Sequence, residues 1–167
     1  MKDTLLPEFD QEMAATRLVL ERVPDAAFGW KPRADGYDLG GLAGHLAEIP
    51  RWGRAILERD TYDLAAPPET ESAPPAALTS AAAVLDRFDA RVREIRSALT
   101  EALDGQLMSP WTLKRGSQVI LSMPRIAALR AFVVHHSIHH RGQLTVYLRM
   151  QDVALPALYG FTADELM

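Results

Sequence analysis

The chain has 167 residues, of which 48% are hydrophobic, 24% charged and 7% aromatic. This length suits one domain, which we place over residues 1–167, and it is sufficient for an independent hydrophobic core. With 18 Lys and Arg against 22 Asp and Glu, the formal net charge is −4, so the chain lacks the clustered positive charge that nucleic-acid binding requires. Cysteine is absent, which excludes disulfides, thiolate metal ligands, iron–sulfur clusters and a cysteine nucleophile.

The N-terminal segment and the overall hydropathy predict a cytoplasmic protein. The first ten residues mix charged and apolar side chains and include Pro7, unlike the basic and then apolar pattern of a secretory signal. No run approaches the roughly 18 uninterrupted apolar residues that cross a membrane. We therefore expect no membrane partner, and any bound metal must be held by nitrogen and oxygen ligands.

Helical periodicity predicts four long helices, two of which lie in the first 60 residues. The first is expected over residues 7–23, where apolar residues recur at spacings of 3, 4 and 7. The second is expected to begin after an N-cap at Asp38 and to run towards Asp60. Pro50 falls inside it and should kink it, because proline has no backbone N–H, unless a local distortion absorbs the missing donor.

The third helix has the clearest apolar stripe in the chain. It is expected to follow a cap at Thr79 or Ser80 and to stop at Asp104 and Gly105. Its expected inward-facing residues are Leu85, Phe88, Val92, Ile95, Leu99 and Leu103.

The fourth helix and the remaining connections complete the predicted architecture. Pro124 is expected in the first turn of a helix that runs to about Met150. The proline-rich residues 62–77 should form a loop, and residues 151–167 a last short turn or helix. The sequence therefore predicts an all-α four-helix bundle with one longer crossover loop, and a short hairpin at 110–121 is the possible exception.

Four of the five histidines lie within six residues, at positions 135, 136, 139 and 140. Helical residues four apart differ by about 40° around the axis and about 6 Å along it, so two such side chains can converge on one point. His136 and His140 fall within or beside the apolar stripe of the fourth helix, whereas His135 and His139 point about 100° away. We expect His136 and His140 to face inward. The other pair is expected to face solvent or a dimer surface, or to support the site without binding the ion.

His45 is the fifth histidine, and it shares the inward register of Leu42 and Leu46. Imidazoles on a core face need a partner for both ring nitrogens, and a divalent transition metal provides one. We predict that His45, His136 and His140 hold such an ion. A three-histidine site leaves at least one position for water or substrate, which is typical of catalytic sites.

Other catalytic signatures are missing from the sequence. The zinc-protease motif needs a glutamate directly after its first histidine, and here Ser137 follows His136. No Gly-x-Ser-x-Gly elbow and no phosphate-binding or dinucleotide-binding glycine loop occurs. The four missing signatures exclude the common enzyme classes that depend on them.

Two residues beside the histidines are candidate catalytic helpers. Glu48, one turn beyond His45, could orient a ligand or act as a base, although a surface charge or an interhelical charge pair is the simpler interpretation. Gln143, one turn after His140, is the second candidate helper from outside the ligand set.

Three further side chains have predicted places around this site. Tyr147 and Trp111 are expected at the mouth of a pocket, with a core position as the alternative for Tyr147. Arg141 is expected to point to solvent or to a dimer contact.

Three segments of the chain resemble the DinB/YfiT-like superfamily of bacterial metal-binding four-helix bundles. They are Gly44-His45-Leu46-Ala47-Glu48, the stretch from His136 to Gln143, and Leu155-Pro156-Ala157-Leu158-Tyr159-Gly160. With the order of elements, the resemblance covers nearly the whole chain. It implies the same three histidine ligands, with zinc or nickel as the expected ion and iron or manganese as further options. It also implies a homodimer.

The resemblance leaves two functions open. Similar proteins include metal-dependent hydrolases, isomerases and thiol transferases, so one hypothesis is an enzyme that acts on a small molecule, with an external low-molecular-weight thiol if thiol chemistry is involved. The alternative is a non-catalytic metal-binding or stress-response protein. A carboxylate such as Glu8, Asp10 or Glu48 that closed the coordination shell would favour this alternative.

Overall fold

Four helical stretches pack around one apolar core in the computed structural model, which describes residues 1–67 and 77–165. The first stretch is α1 (Lys2–Leu20), followed by a 3₁₀ turn at Asp25–Ala27. The second comprises α2 (Leu39–Glu48), a 3₁₀ turn (Ile49–Arg51) and α3 (Trp52–Glu58). The third is α4 (Ala81–Glu101), followed by the short α5 (Asp104–Met108). The fourth comprises α6 (Arg125–Leu129), a π-helical segment (Arg130–His135) and α7 (His136–Arg149).

Two predicted caps are present, and they fix the starts of α2 and α4. The Asp38 carboxylate accepts the Gly41 N–H at 2.6 Å, and the Ser80 hydroxyl accepts the Ala83 N–H at 3.2 Å. Each side chain satisfies an amide of the first turn that has no partner within the helix.

The break at Pro50 is also as predicted. The proline nitrogen cannot donate a hydrogen bond, and the chain passes through the 3₁₀ turn at this point before α3 begins.

Asp104 explains two differences between the predicted and observed helix ends. Helix α1 begins at Lys2 rather than at residue 7, because the Asp104 carboxylate accepts the Lys2 N–H at 3.0 Å and contacts the terminal ammonium at 3.1 Å. Asp104 therefore caps α1 from a distance and is not the end of α4, which stops at Glu101. Leu103 lies beyond that end and is 72% exposed, so its expected place in the apolar stripe is wrong.

A three-stranded sheet corrects the expectation of an all-α fold. The predicted hairpin exists as β2 (Pro110–Arg115) and β3 (Gln118–Pro124), joined through Gly116 at φ +60°. The third strand, β1 (Thr61–Asp63), pairs in parallel with β2. Three residues are too few to show a strand period, and their partner lies about fifty positions away, so the sequence pattern missed β1. It occupies the start of the predicted loop, of which residues 68–76 lie outside the described part of the chain.

The π-helical segment changes which residues of α7 face the core. A π turn spreads more residues over each turn than an α turn does, so the residues that follow are rotated relative to a straight wheel. The buried residues of α7 are Ser137, Arg141, Leu144 and Leu148. His136 and His140 each precede one of these residues and therefore lie on the flank of the core, half-buried.

Arg141 is buried in the bundle, which corrects its predicted place at the surface. Its side chain is 2% exposed and contacts the Glu12 carboxylate at 2.7 Å, the Glu12 carbonyl at 2.9 Å and the Thr16 hydroxyl at 3.2 Å. It also donates to the Tyr159 hydroxyl. These acceptors compensate the loss of hydration and tie α7 to α1 and to the C-terminal segment.

None of the helices within residues 1–67 and 77–165 combines the length and the hydrophobicity that are needed to span a bilayer.

We predict that Glu12→Ala lowers the free energy of unfolding by about 3 kcal/mol, because it leaves a buried guanidinium without its counter-charge. The matched control is Asp10→Ala on the same helix. Asp10 pairs with Arg96 at 2.8 Å, but these side chains are 37% and 50% exposed, so its loss should stay within about 1 kcal/mol. Urea unfolding measures both changes. Equal losses in the two variants would contradict the structural role of the Arg141 pair.

Candidate metal centre

Three histidines from two helices meet at one point. His45 comes from α2, and His136 and His140 come from α7. The His136 Nε2 lies 3.4 Å from the His45 Nε2 and 2.9 Å from the His140 Nε2. Among the described residues, these three form the one group of at least three ligand-type side chains close enough to share an ion, with one ligand atom of each within 4.8 Å of the others.

The spacing of the ring nitrogens fits a transition metal. Two nitrogens at about 2.0–2.1 Å from a tetrahedral zinc ion lie about 3.3 Å apart. The His45–His136 separation matches this value, and the His136–His140 separation of 2.9 Å is slightly shorter. Three ring nitrogens that face one another in a half-buried position suit a cation better than they suit one another, since each neutral imidazole has only one N–H to donate.

Hydrogen bonds to the far side of two rings leave the Nε2 atoms available as ligands. The His140 Nδ1 lies 2.6 Å from the Gln143 Oε1, which can only accept, so Nδ1 carries the proton and Nε2 is bare. A hydrogen bond to the backbone of Phe132 acts to raise the pKa of His136, as donation to a carbonyl does. Because the His136 Nε2 faces the other rings, we infer that the Nδ1–H is the donor in this hydrogen bond to Phe132. Such outer contacts orient metal-binding imidazoles.

The pKa values of all three histidines are lowered. The pKa of His45 is lowered to about 4, mainly by burial and further by repulsion from His140, His136 and Arg51. Burial is also the main cause of the lowered pKa of His136, followed by repulsion from His140. Burial lowers the pKa of His140 as well, although the hydrogen bond to Gln143 opposes this shift and repulsion from His139 adds a smaller part. The rings are therefore neutral near pH 7, and neutral imidazole is the form that binds metals.

A cavity of about 720 Å³ opens beside His45. Tyr37 lines it and stacks on the His45 ring, with 5.4 Å between centroids and 20° between planes. Its ring also meets His140 edge-on at 6.5 Å. Sequence reasoning missed Tyr37, because it precedes the helix in a loop without periodicity; its position next to the Asp38 cap was the available signal. The other described lining residues are Phe28, Gly29, Asp38, Gly40, Gly41, Gly44, Glu48, Arg51, Ala77, Leu78 and Thr79.

The two predicted helpers have different surroundings. Gln143 contacts His140, as described above. Glu48 lines the cavity, but its carboxylate accepts from Arg87 and, at 3.3 Å, from Arg91, both on α4. This is the interhelical charge pair that the sequence offered as the simpler interpretation. A catalytic role for Glu48 stays a prediction.

The predicted pocket residues Trp111 and Tyr147 lie away from this cavity. Trp111 is fully buried in the core, 5.6 Å from the Phe132 ring, so its expected place at the mouth is wrong. Tyr147 packs edge-on against Trp30 at 5.7 Å and borders the core, as in the alternative interpretation. Neither belongs to the described lining. Both side chains are large and aromatic, and burial in the core removes more of their apolar surface from water than a position at the mouth of a pocket would.

The carboxylates considered as closing ligands are engaged in ion pairs. Glu8 pairs with Arg130 at 2.9 Å, and Asp10 pairs with Arg96. Glu48 pairs with the arginines of α4, so within the described residues no carboxylate joins the histidine cluster. His135 and His139 are exposed, as expected from the helical wheel.

Comparison with known proteins places this architecture in a family. The model of the DinB family matches residues 1–166. The chain belongs to the DinB family. It is also 27% identical over 164 residues to YrdA, an uncharacterized protein of Bacillus subtilis, which covers 98% of this chain and 90% of YrdA.

Solved structures of other DinB-like proteins have the same fold. A DinB-like protein from Bacillus cereus aligns with a TM-score of 0.69 at 21% identity, covering 92% of this chain and 95% of that one. YjoA of Bacillus subtilis aligns with 0.71 at 17% identity, covering 95% and 99%. YfiT of Bacillus subtilis, described as a probable metal-dependent hydrolase with an unusual four-helix bundle topology, aligns with 0.64 at 16% identity, covering 90% and 87%.

The lowered pKa values predict how the stability of the metal-free protein depends on pH. Between the usual histidine pKa of about 6.5 and the lowered values, the unfolded chain binds more protons than the folded one. The free energy of unfolding should therefore fall as pH is lowered from about 6.5 towards 5. Urea unfolding in the presence of a chelator measures this slope.

The variant His45→Gln should lose part of that slope. His139→Gln removes an exposed ring that makes only a smaller contribution to the lowered pKa values of His136 and His140, so it should keep most of the slope. A stability that stays constant or rises as pH falls through this window would contradict the lowered pKa values.

Proposed function

We propose that this DinB-family chain is a metal-dependent hydrolase of a small molecule, with His45, His136 and His140 as the ligands of a divalent cation. The observation that carries the proposal is the convergence of three Nε2 atoms beside a cavity of about 720 Å³. Among the described residues, no carboxylate joins these three histidines. A site with three protein ligands and an open position is typical of catalysis. The description of YfiT supports the same chemistry by analogy.

Each part of the proposed site has a defined task. The three histidines hold the cation, and Gln143 keeps His140 in the tautomer that presents Nε2. A divalent cation held by these residues would supply Lewis-acid chemistry, which would activate water near neutral pH and polarise a carbonyl or phosphoryl oxygen. Tyr37 stacks on one face of His45. Zinc or nickel is the first candidate, followed by iron or manganese.

Ligand variants test the proposed metal centre. His136→Ala or His140→Ala should abolish stoichiometric binding of zinc or nickel, because two imidazoles remain. His139→Ala is the matched control from the same helix turn, and it should keep about one equivalent, since its ring is exposed. Elemental analysis of protein purified without a histidine tag gives the stoichiometry. Equal loss in all three variants would contradict the assignment of ligands.

Turnover of activated esters tests the proposed reaction. The metal-loaded chain should hydrolyse p-nitrophenyl esters faster than the chelated chain, and His136→Ala should lose this difference while His139→Ala keeps it. Parallel assays with an added low-molecular-weight thiol distinguish transfer to the thiol from transfer to water. A fully metal-loaded protein without turnover in either assay would contradict an enzyme and favour the non-catalytic alternative.

A further inference from the structure

The cavity beside His45 is lined by an arginine side chain, that of Arg51, which has no counter-ion among the described residues. Its charged lining residues are Asp38, Glu48 and Arg51. Asp38 accepts from the Gly41 N–H, and Glu48 accepts from the arginines of α4. Within residues 1–67 and 77–165, the Arg51 guanidinium makes no hydrogen bond and no ion pair. A half-buried guanidinium of this kind is a ready site for an anionic group.

The backbone break at Pro50 directs Arg51 towards the histidines. In a continuous α-helix, Arg51 would lie about 120° around the axis from His45, since each residue turns about 100°. The 3₁₀ turn at Ile49–Arg51 turns each residue by about 120° and reduces this separation to about 60°. Both residues line the same cavity. The charge of Arg51 also contributes to the lowered pKa of His45, as expected for neighbouring groups.

The neighbouring charges keep Arg51 available. Glu48, the nearest carboxylate along the chain, is held by two guanidinium groups on α4, at Arg87 and Arg91. These two positive charges more than neutralise the Glu48 carboxylate, so Glu48 does not need Arg51 as a counter-charge. Arg54, one turn further on, is paired with Glu58 at 2.7 Å. Of these arginines, Arg51 is the one that faces the cavity beside His45 and lacks a partner in the described part of the chain.

We propose that this cavity selects small molecules that carry an anionic group, a carboxylate or a phosphate, and that Arg51 binds this group while the reacting bond lies towards the histidine cluster. The inference rests on the proposed function for the position of the reacting bond, but the binding of the anion does not depend on turnover. The planar guanidinium can donate two parallel hydrogen bonds to either anion. The apolar side chains of Phe28 and Leu78 would contact the uncharged part of the molecule.

Binding of matched probes tests this selectivity without turnover. The ligands are glutarate mono-anilide, phenyl phosphate and neutral acetanilide, titrated calorimetrically into the whole chain. The wild type should bind at least one anionic probe about ten times more tightly than acetanilide, and the preferred anion identifies the source of the charge. Arg51→Gln should remove this preference, Arg51→Lys should keep part of it, and Arg54→Gln should leave it unchanged.

Ester hydrolysis by the metal-loaded chain provides the second readout. For the p-nitrophenyl monoester of glutaric acid, Arg51→Gln should raise KM about tenfold, and for p-nitrophenyl acetate it should leave KM unchanged. Absence of an anion preference in the wild type, or its retention in Arg51→Gln, would overturn the inference. If neither ester is hydrolysed but the binding preference depends on Arg51, the hydrolase proposal fails and the anion site stands. If both esters are hydrolysed and Arg51→Gln changes neither KM, the anion site at Arg51 fails and the hydrolase proposal stands.

Discussion

The central constraint in this structure is the crowding of three imidazole rings on the flank of the core. Their Nε2 atoms face one another at distances of 2.9 and 3.4 Å, and burial lowers all three pKa values. Protonation of several rings at once would place like charges together in a poorly hydrated position, which is unfavourable. A divalent cation removes this conflict, because it uses the lone pairs that the neutral rings present to one another.

Two irregularities in the helices arrange the site. The 3₁₀ turn after α2 places Arg51 on the same side of the helix axis as His45. The π-helical segment before α7 rotates His136 and His140 away from the centre of the core. A straight fourth helix would bury His136 and His140 more deeply and would turn Arg141 towards solvent. With the observed rotation, the histidines border on open space, and Arg141 fills the core with the help of Glu12. Departures from regular helix geometry are frequent at functional sites.

Much of this arrangement follows from the sequence pattern. The i,i+4 spacing of His136 and His140 and the inward register of His45 predict that the three rings meet, and the caps at Asp38 and Ser80 are local signals. The pattern fails where distant partners decide the outcome. Strand β1 depends on pairing with β2, and Arg141 depends on acceptors from α1 and the C-terminal segment. A helical wheel contains no information about either. The homodimer implied by the family resemblance stays a prediction.

X-ray absorption spectroscopy of the zinc-loaded or nickel-loaded chain measures the ligands of the ion itself. We expect three imidazole nitrogens near 2.0–2.1 Å from zinc, with an oxygen of water as a further ligand. In His139→Ala the spectrum should be unchanged. A shell closed by protein carboxylates, or one with fewer than three imidazoles, would contradict an open three-histidine centre.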